Sequence, residues 1–393
     1  MSLHVRQARL SALSLAVLAG PMSFGIAGPA LILGEVADGL GVSPATATWL
    51  VTVFGWGIAV GTPLMSGLVG HRGVRATAAL CGLLVLVGSA LALVAPSFPF
   101  LLAGSAAQAL GAAGLTGLAM HLADSPRRMG VATASLAVVG SVSPLVGSLV
   151  SDLLSWRVVL ALPVVAVLAV PAVLGHARQE PSPGRFDATG AVVLTALVTA
   201  LVFVPHQPMV AGIAAVVVAA AFALHLRRRP DGFVPAVLVR SPAFLGAAGL
   251  AFALAVGNFA LIYALPARLT ELTSWTSAQI GVAMVWPLLF GGGLSWFVVA
   301  ASARMRPRPV IAALVVAGVA AALTAAFTGW AFGLLAAQAA ASIAAASGQG
   351  VLAVRATSAA PEEHRAAAIG LFNLCYLLGT AFGPAIVALL VSA

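Results

Sequence analysis

Apolar runs of membrane-crossing length alternate with short polar gaps from one end of the chain to the other. They cover residues 11–33, 47–69, 76–95, 98–122, 130–152, 157–175, 187–205, 209–226, 243–265, 278–301, 309–328, 330–354 and 365–391. A spanning helix needs about 20 consecutive apolar residues, and a helix satisfies its own backbone groups inside lipid. The pattern therefore predicts an all-α polytopic membrane protein with thirteen transmembrane helices. Gly and Pro punctuate the gaps. The two longest polar stretches, His176 to Asp187 and Arg227 to Ser241, bracket the seventh and eighth spans. Those two are plain Ala/Val/Leu segments and read as lipid-facing packing helices inserted between two functional parts.

Charge adds a direction to this pattern. All 19 basic residues are Arg. If the amino terminus is cytoplasmic, every one of them lies inside except Arg157 and Arg268. Cytoplasmic loops carry such an excess of positive charge, so the amino terminus is expected inside. With an odd number of spans the carboxyl terminus is then outside. Only 7% of the residues are charged and 61% are hydrophobic, against about 25% charged in a soluble domain. Lipid must solvate much of this surface. The net charge of +9 sits in small arginine clusters at helix ends, where it meets anionic headgroups and does not suggest nucleic acid. Cys81 and Cys375 both fall within spans and imply neither a disulfide framework nor a metal site. No GxxxxGK[ST] loop occurs, so no ATPase engine is expected. The first apolar stretch is too long for a signal peptide and reads as an uncleaved span.

The two parts of the chain resemble each other. SWTSAQIGVAMVWPLLFGGGLSWFVVAASARMRPRP, after the ninth span, parallels SPATATWLVTVFGWGIAVGTPLMSGLVGHRGVR near the start. RAAAIGLFNLCYLLGTAFGPAIVALL likewise parallels RMGVATASLAVVGSVSPLVGSLVSDLL. Internal symmetry of this kind marks transporters built from repeated bundles, with substrate held near the midplane between them.

Several motifs stand in order along the chain. The inner loop after the second span reads GLVGHRGVR from Gly67 to Arg75, including His71 and Arg72. The fourth span contains LLAGSAAQALGAAGL, with Gln108 and Gly111. The fifth carries Gly140, Ser143, Pro144 and Gly147, followed by Trp156-Arg157. Small residues four apart let helix backbones approach, and Pro144 removes one backbone hydrogen bond. The segment from Gly184 to Gly190 reads GRFDATG. Together these resemble the major facilitator superfamily, most of all its fourteen-span drug:proton antiporters, over essentially the whole chain. The resemblance implies a signature inner loop at Gly67, His71, Arg72 and Arg75, with His71 where the family has an acid. It implies an antiporter motif at Gly140, Ser143, Pro144 and Gly147, where the spans pack and gate. In the fourth span Ser105 stands where the family carries the arginine associated with proton coupling. The GRFDATG segment resembles the family's entry into its additional pair of spans.

The organisation implied is a six-helix bundle over residues 1–178, two inserted helices within 179–241, and a five-helix bundle over 242–393. That is a fourteen-span plan lacking its last helix. No Arg, Asp or Glu sits mid-span in this reading. Charges retained at the bilayer centre usually mark a pathway, so their absence favours a neutral, apolar or weakly cationic substrate. Trp56, Gln108, Asn258, Tyr263, Trp286, Asn373 and Tyr376 are the candidates for binding it, by contact area, stacking and a few hydrogen bonds. Gln338 and Gln349 are further polar residues within spans. A proton-coupled mechanism needs a titrating group; Glu35, at the outer end of the first span, is the candidate, and His121, His206 and His225 lie near span ends.

The expectation is a non-enzymatic multi-pass protein of the bacterial plasma membrane, monomeric and without a cofactor. It exports a hydrophobic or amphipathic small molecule, a drug, antibiotic or metabolite, by proton antiport with alternating access. An uncoupled facilitator or metabolite carrier is the alternative within transport, and a non-transporting scaffold or sensor is the alternative outside it.

Overall fold

The computed structural model describes residues 10–123, 126–176, 187–205, 207–302, 304–358, 360–361 and 364–392. His206 and residues 184–186 of the GRFDATG segment lie outside them, as do Arg6, Arg9, Arg178 and Arg185. Among the described residues every regular element is helical. Twelve helices are long and apolar enough to cross a membrane: Ala12–Leu31, Pro44–Val69, His71–Val94, Phe98–His121, Ala134–Leu153, Trp156–Gly175, Pro208–Arg228, Pro242–Leu272, Ser277–Val299, Pro307–Phe327, Ala331–Ser358 and Ala367–Leu389. The remaining segment, seventh in chain order, is a shorter apolar helix, Ala188–Phe203. The chain is a multi-pass membrane protein, and the spans keep the ordinal names used above.

Short polar residues start these helices. Ser11, Ser43, Asp187 and Ser241 each accept a hydrogen bond from the backbone N–H three residues on, at 3.0, 3.1, 3.1 and 3.3 Å. Ser155 does the same for the N–H of Arg157 at 3.2 Å. Each satisfies an amide that the first turn leaves without a partner. Proline and glycine then break two of the spans. The first consists of Ala12–Ala19, Met22–Ala27 and the 3₁₀ turn Gly28–Leu31, with Pro21 and Pro29 at the joints. The sixth changes to 3₁₀ pairing over Leu162–Ala169, just where Pro163 withholds its amide.

The second and third spans are two helices that follow each other directly within Trp49–Val94 and are separated by a turn at Gly73. There φ is 80° and ψ is 170°, a conformation open to glycine and strained for any residue with a Cβ. The inner-loop motif therefore contains the residue that reverses the chain, flanked by Arg72 and Arg75 in exposed positions.

Two pairs of sequence-distant spans hold the molecule together. The second packs on the thirteenth, and the fifth packs on the tenth. Around them the third lies on the fourth, the ninth on the thirteenth and twelfth, and the tenth and eleventh on the twelfth. The first, second, fourth, twelfth and thirteenth spans are mostly buried, whereas few residues of the eighth, tenth and eleventh are. Val210, Val216, Phe297 and Phe327 stand open on those surfaces, an apolar display that lipid rather than water would cover.

The seventh span faces outward on one side only, with Val192 exposed. It pairs with the eighth, but Ala191, Leu194, Val198 and Val202 form one buried face. Leu194, Val198 and Val202 of that face belong to the same core as Val60 of the second span and Leu374 of the thirteenth. The spacing of the four buried residues gives one helical stripe, which an even Ala/Val/Leu composition hides in the sequence.

Candidate functional site

The seven candidate binding residues take different partners. Asn258, on the ninth span, is the centre of a buried amide cluster. Its Oδ1 accepts from Gln338 Nε2 at 3.0 Å and from Ser342 Oγ at 2.9 Å, and Gln338 Nε2 also reaches Ser342 Oγ at 2.9 Å. Gln338 and Ser342 are one turn apart on the twelfth span. Asn373, on the thirteenth, accepts a longer bond of 3.4 Å from Gln349 Nε2. Gln338, Ser342 and Gln349 recur at helical spacing, so they share one face of the twelfth span.

Tyr263 crosses to the other part of the chain. Its hydroxyl donates to the carbonyl of Ile26 on the first span. Ile26 lies just before the Gly28–Leu31 turn, where the α-helical ladder gives way to three-residue pairing. Tyr376 is buried in the same core as Phe372 and Leu378. Trp286 is 38% exposed, and its ring meets Phe290 edge-on at 5.9 Å.

Gln108 and Trp56 lie elsewhere. Gln108 is buried within the first six spans and donates to Ser89 Oγ at 2.8 Å and to the Leu160 carbonyl at 3.0 Å. Beside it is a small cavity of about 10 Å³, room for little more than one water, lined by Gly25, Pro29, Leu50, Phe54 and Ser105 among others. Ser105 donates to the Leu50 carbonyl at 3.3 Å. Trp56, on the second span, donates from Nε1 to Thr199 Oγ1 of the inserted seventh span at 2.9 Å. This bond joins segments 143 residues apart, and nothing local in the sequence announces it.

Of the two candidate glycines on the fifth span, Gly147 is the more confined. A Cβ built there would stand 2.4 Å from the backbone oxygen of Gly28. At Gly140 the nearest atoms to an added Cβ are those of Ser23, at an ordinary 3.6 Å. Ser143 is fully buried and returns its hydroxyl to the Val139 carbonyl at 2.6 Å. Pro144 is buried beside it within the helix. Gly67 and His71 are partly buried near the turn at Gly73. The thirteenth span presents its own small ridge, Gly379 and Gly383, within 2.5 and 2.6 Å of the ninth span at the positions of an added Cβ.

Glu35 lies on Leu33–Leu40, the extension of the first span, in an exposed position. It accepts a hydrogen bond from the hydroxyl of Ser151 on the fifth span. Nearby Arg157 lies over the Trp156 ring at 4.2 Å and donates to the Ala95 carbonyl at 3.1 Å.

A polar hub that the motif reading passed over sits where the inserted pair begins. Asp187 caps the seventh span and is itself buried. It accepts from the Gly190 N–H at 3.1 Å, the Phe233 N–H at 3.0 Å and the His225 ring at 2.8 Å, with Arg229 at 3.9 Å. Burial pushes its carboxyl up. The hydrogen bonds from Phe233, His225 and Gly190, with the attraction of His225, outweigh that and hold it below the ordinary carboxylate range. The signal was present in the sequence: an Asp directly before an apolar run, with Gly190 three residues on.

Among the described residues no group of three His, Cys, Asp or Glu side chains converges as a metal site. The interior offers amides, hydroxyls and aromatic rings, which is the chemistry of reversible binding rather than of bond breaking.

Comparison with known proteins places this geometry. Residues 13–256 and 247–393 match the family model described as Major Facilitator Superfamily. The chain is 34% identical over 187 residues to the cephamycin export protein CmcT of Amycolatopsis lactamdurans, covering 43% of this chain and 37% of that protein. It is 25% identical over 205 residues to the uncharacterized MFS-type transporter YfiU of Bacillus subtilis, covering 49% and 39%. The alignments thus span well under half of either relative. Among solved structures, the human organic anion transporter MFSD10 matches 97% of this chain and 92% of its own, with a TM-score of 0.60 and 17% identity. A bacterial homolog of the human lysosomal transporter Spinster, inward-facing and occupied, matches 95% and 80%, at 0.59 and 15%. The POT family transporter PepTSo matches 97% and 89%, at 0.62 and 15%. At these identities the likeness is one of fold.

Proposed function

The chain belongs to the Major Facilitator Superfamily, a family of transporters and not of enzymes, and on that premise we propose that it exports a hydrophobic or amphipathic small molecule from a bacterial cytoplasm in exchange for protons. The observation that carries this reading is the make-up of the interior. Asn258, Gln338 and Ser342 lie buried on the ninth and twelfth spans, and Tyr263 and Tyr376 stand among apolar side chains. Charged side chains keep to the span ends. Such a lining suits a ligand held by area and a few hydrogen bonds. Similarity to a cephamycin export protein supports the outward direction and makes a β-lactam a first substrate to try.

Alternating access follows from two bundles, residues 1–178 and 242–393, rocking about the contacts of the second span with the thirteenth and the fifth with the tenth. Within 179–241 the seventh helix rides on the second and thirteenth spans and carries the eighth. The arginine-rich ends face the cytoplasm, with the amino terminus inside. Glu35 is the proposed proton-coupling group, since its bond to Ser151 ties the extension of the first span to the fifth.

The experiment is uptake into inside-out vesicles carrying the full chain. An imposed pH gradient, acid inside, should drive accumulation of a cephamycin or a lipophilic dye above the level in empty vesicles. Accumulation that ignores the gradient would favour an uncoupled facilitator. No accumulation of either compound would remove the export reading.

A further inference from the structure

A tyrosine hydroxyl joins the two bundles directly. Tyr263, on the ninth span, donates to the main-chain carbonyl of Ile26 on the first, 237 residues away in sequence. Ile26 lies close to the Leu31 end of the first span, and Tyr263 lies in the second half of Pro242–Leu272. With the amino terminus inside, both belong to the outer half of the membrane.

The two ends of the first span keep different company. Its inner segment, Ala12–Ala19, packs on the fourth, fifth and sixth spans of its own bundle. Its outer turn, Gly28–Leu31, packs on the ninth span as well as on the fifth. Ile26, Ala30 and Leu31 share a core with Ile262, Leu265 and Leu269 of the ninth. A Cβ added at Gly281 of the tenth span would stand 3.1 Å from Leu31 Cδ1 and 3.1 Å from Leu145 Cα of the fifth. The outer end of the first span is thus wedged among the fifth, ninth and tenth. Breaks at Pro21 and Pro29 divide it from the inner segment, so it can tilt without carrying the whole helix along.

Apolar contacts in this wedge have no preferred direction; the hydroxyl bond does, and it weakens steeply when its partners move out of line. A buried tyrosine hydroxyl finds an acceptor as a rule. Here the acceptor is the main chain of the opposite bundle. Any motion that parts the outer ends of the bundles must break this bond, and water entering the gap then replaces it. A neutral bond exchanged for water is worth little net, which suits a contact made and lost in every cycle. A buried ion pair at the same place would be far harder to part.

We propose that Tyr263 is the latch of an outer gate: its hydroxyl, held by the Ile26 carbonyl, biases the molecule toward the state closed on the outside, and the bond is released when that side opens. Tyr263 is then a positioning residue. While the gate is shut its hydroxyl is committed to Ile26 and is not offered to a ligand. The latch rests on the export reading, which supplies both the rocking and the orientation.

The test uses intact cells expressing the full chain without Cys81 and Cys375. Ala30→Cys, buried in the wedge, reports opening by its rate of reaction with an impermeant thiol reagent added outside. Ala112→Cys, buried within the first bundle, reports general loosening. Tyr263→Phe removes the hydroxyl and keeps the ring. It should speed the reaction at Ala30→Cys roughly 2- to 12-fold, the net worth of one neutral hydrogen bond, and leave Ala112→Cys unreactive. An unchanged rate at Ala30→Cys overturns the latch and leaves the export reading standing, as does a faster reaction at both cysteines. No reaction at Ala30→Cys with or without the hydroxyl means that the outer side never opens, and removes alternating access together with the latch. If Tyr263→Phe fails to fold, replacing both tyrosines by 3-fluorotyrosine decides: the stronger donor should slow the reaction at Ala30→Cys, and no slowing overturns the latch.

Discussion

Adding a single methyl group at Gly147 measures how closely the fifth span must sit on the first. The added Cβ would stand 2.4 Å from Gly28 O and 3.2 Å from Gly28 C. Ordinary contact begins near 3.4 Å, so one backbone must retreat by about 1 Å. The atoms in the way are main chain and cannot swing aside as a side chain would. Overpacking of this kind costs about 1–3 kcal/mol. If the close approach is needed in only one conformation of the transport cycle, that penalty lowers its population by roughly 5- to 150-fold. Gly140→Ala is the matched control, since its new Cβ meets Ser23 at an ordinary 3.6 Å. Motif resemblance ranks the two glycines equally; the packing does not. Purified variants are compared by thermal unfolding and by vesicle uptake. Gly147→Ala should melt lower and transport at a small fraction of the wild-type rate, and Gly147→Leu should be inactive while still inserting. Gly140→Ala should stay within about twofold, as expected where no new overlap arises. Equal losses in both alanine variants, or full activity in Gly147→Ala, would refute the argument from backbone proximity.

Three other outcomes are expected. Asp187→Asn should destabilise the inserted helices at neutral pH. The carboxyl's folded pKa is held below its ordinary value of about 3.9, so its stabilising contribution is present above that value and lost as the pH falls through the folded pKa; melting curves on acidification should therefore lose a step in the variant, and an unchanged acid limb would contradict the hub. Glu35→Gln should remove pH-driven uptake into inside-out vesicles while sparing counterflow exchange; uptake that still follows the gradient would make Glu35 a surface carboxylate only. In a background without Cys81 and Cys375, Ser392→Cys should react with an impermeant thiol reagent added outside intact cells; reaction from the cytoplasmic side alone would mean the spans are miscounted.

Much of the architecture was legible in the order of apolar and polar residues. Twelve of the expected spans appear as full-length helices, because apolar length in a membrane protein leaves few alternatives. The helix starts at Ser43, Ser155 and Ser241 follow from the same local chemistry. Bonds made at long range were not legible. Trp56 looks in the sequence like any aromatic residue in a Gly-rich span, and only the placing of the seventh helix gives it Thr199. Ser342 drew no notice because a serine among alanines is unremarked until Asn258 arrives from the ninth span. Gly147 and Gly140 look alike in the motif; their difference lies in where the first span breaks, at Gly28. Asp187 was half-visible as a helix cap, while its bonds to His225 and Phe233 depend on how the eighth span returns.

The seventh helix has sixteen residues, about 24 Å of rise, against a hydrocarbon core of about 30 Å. A helix that short leaves the bilayer to thin beside it, at a fraction of a kcal/mol for each ångström of mismatch. Because its buried face lies on the second and thirteenth spans, the dimple would form next to the seam where the two bundles meet. The proposed rocking, where it tilts this helix, would stretch or relax the surrounding lipid. If the bundles rock as proposed, acyl-chain length would become a load on the cycle, lighter in short-chain membranes and heavier in thick ones.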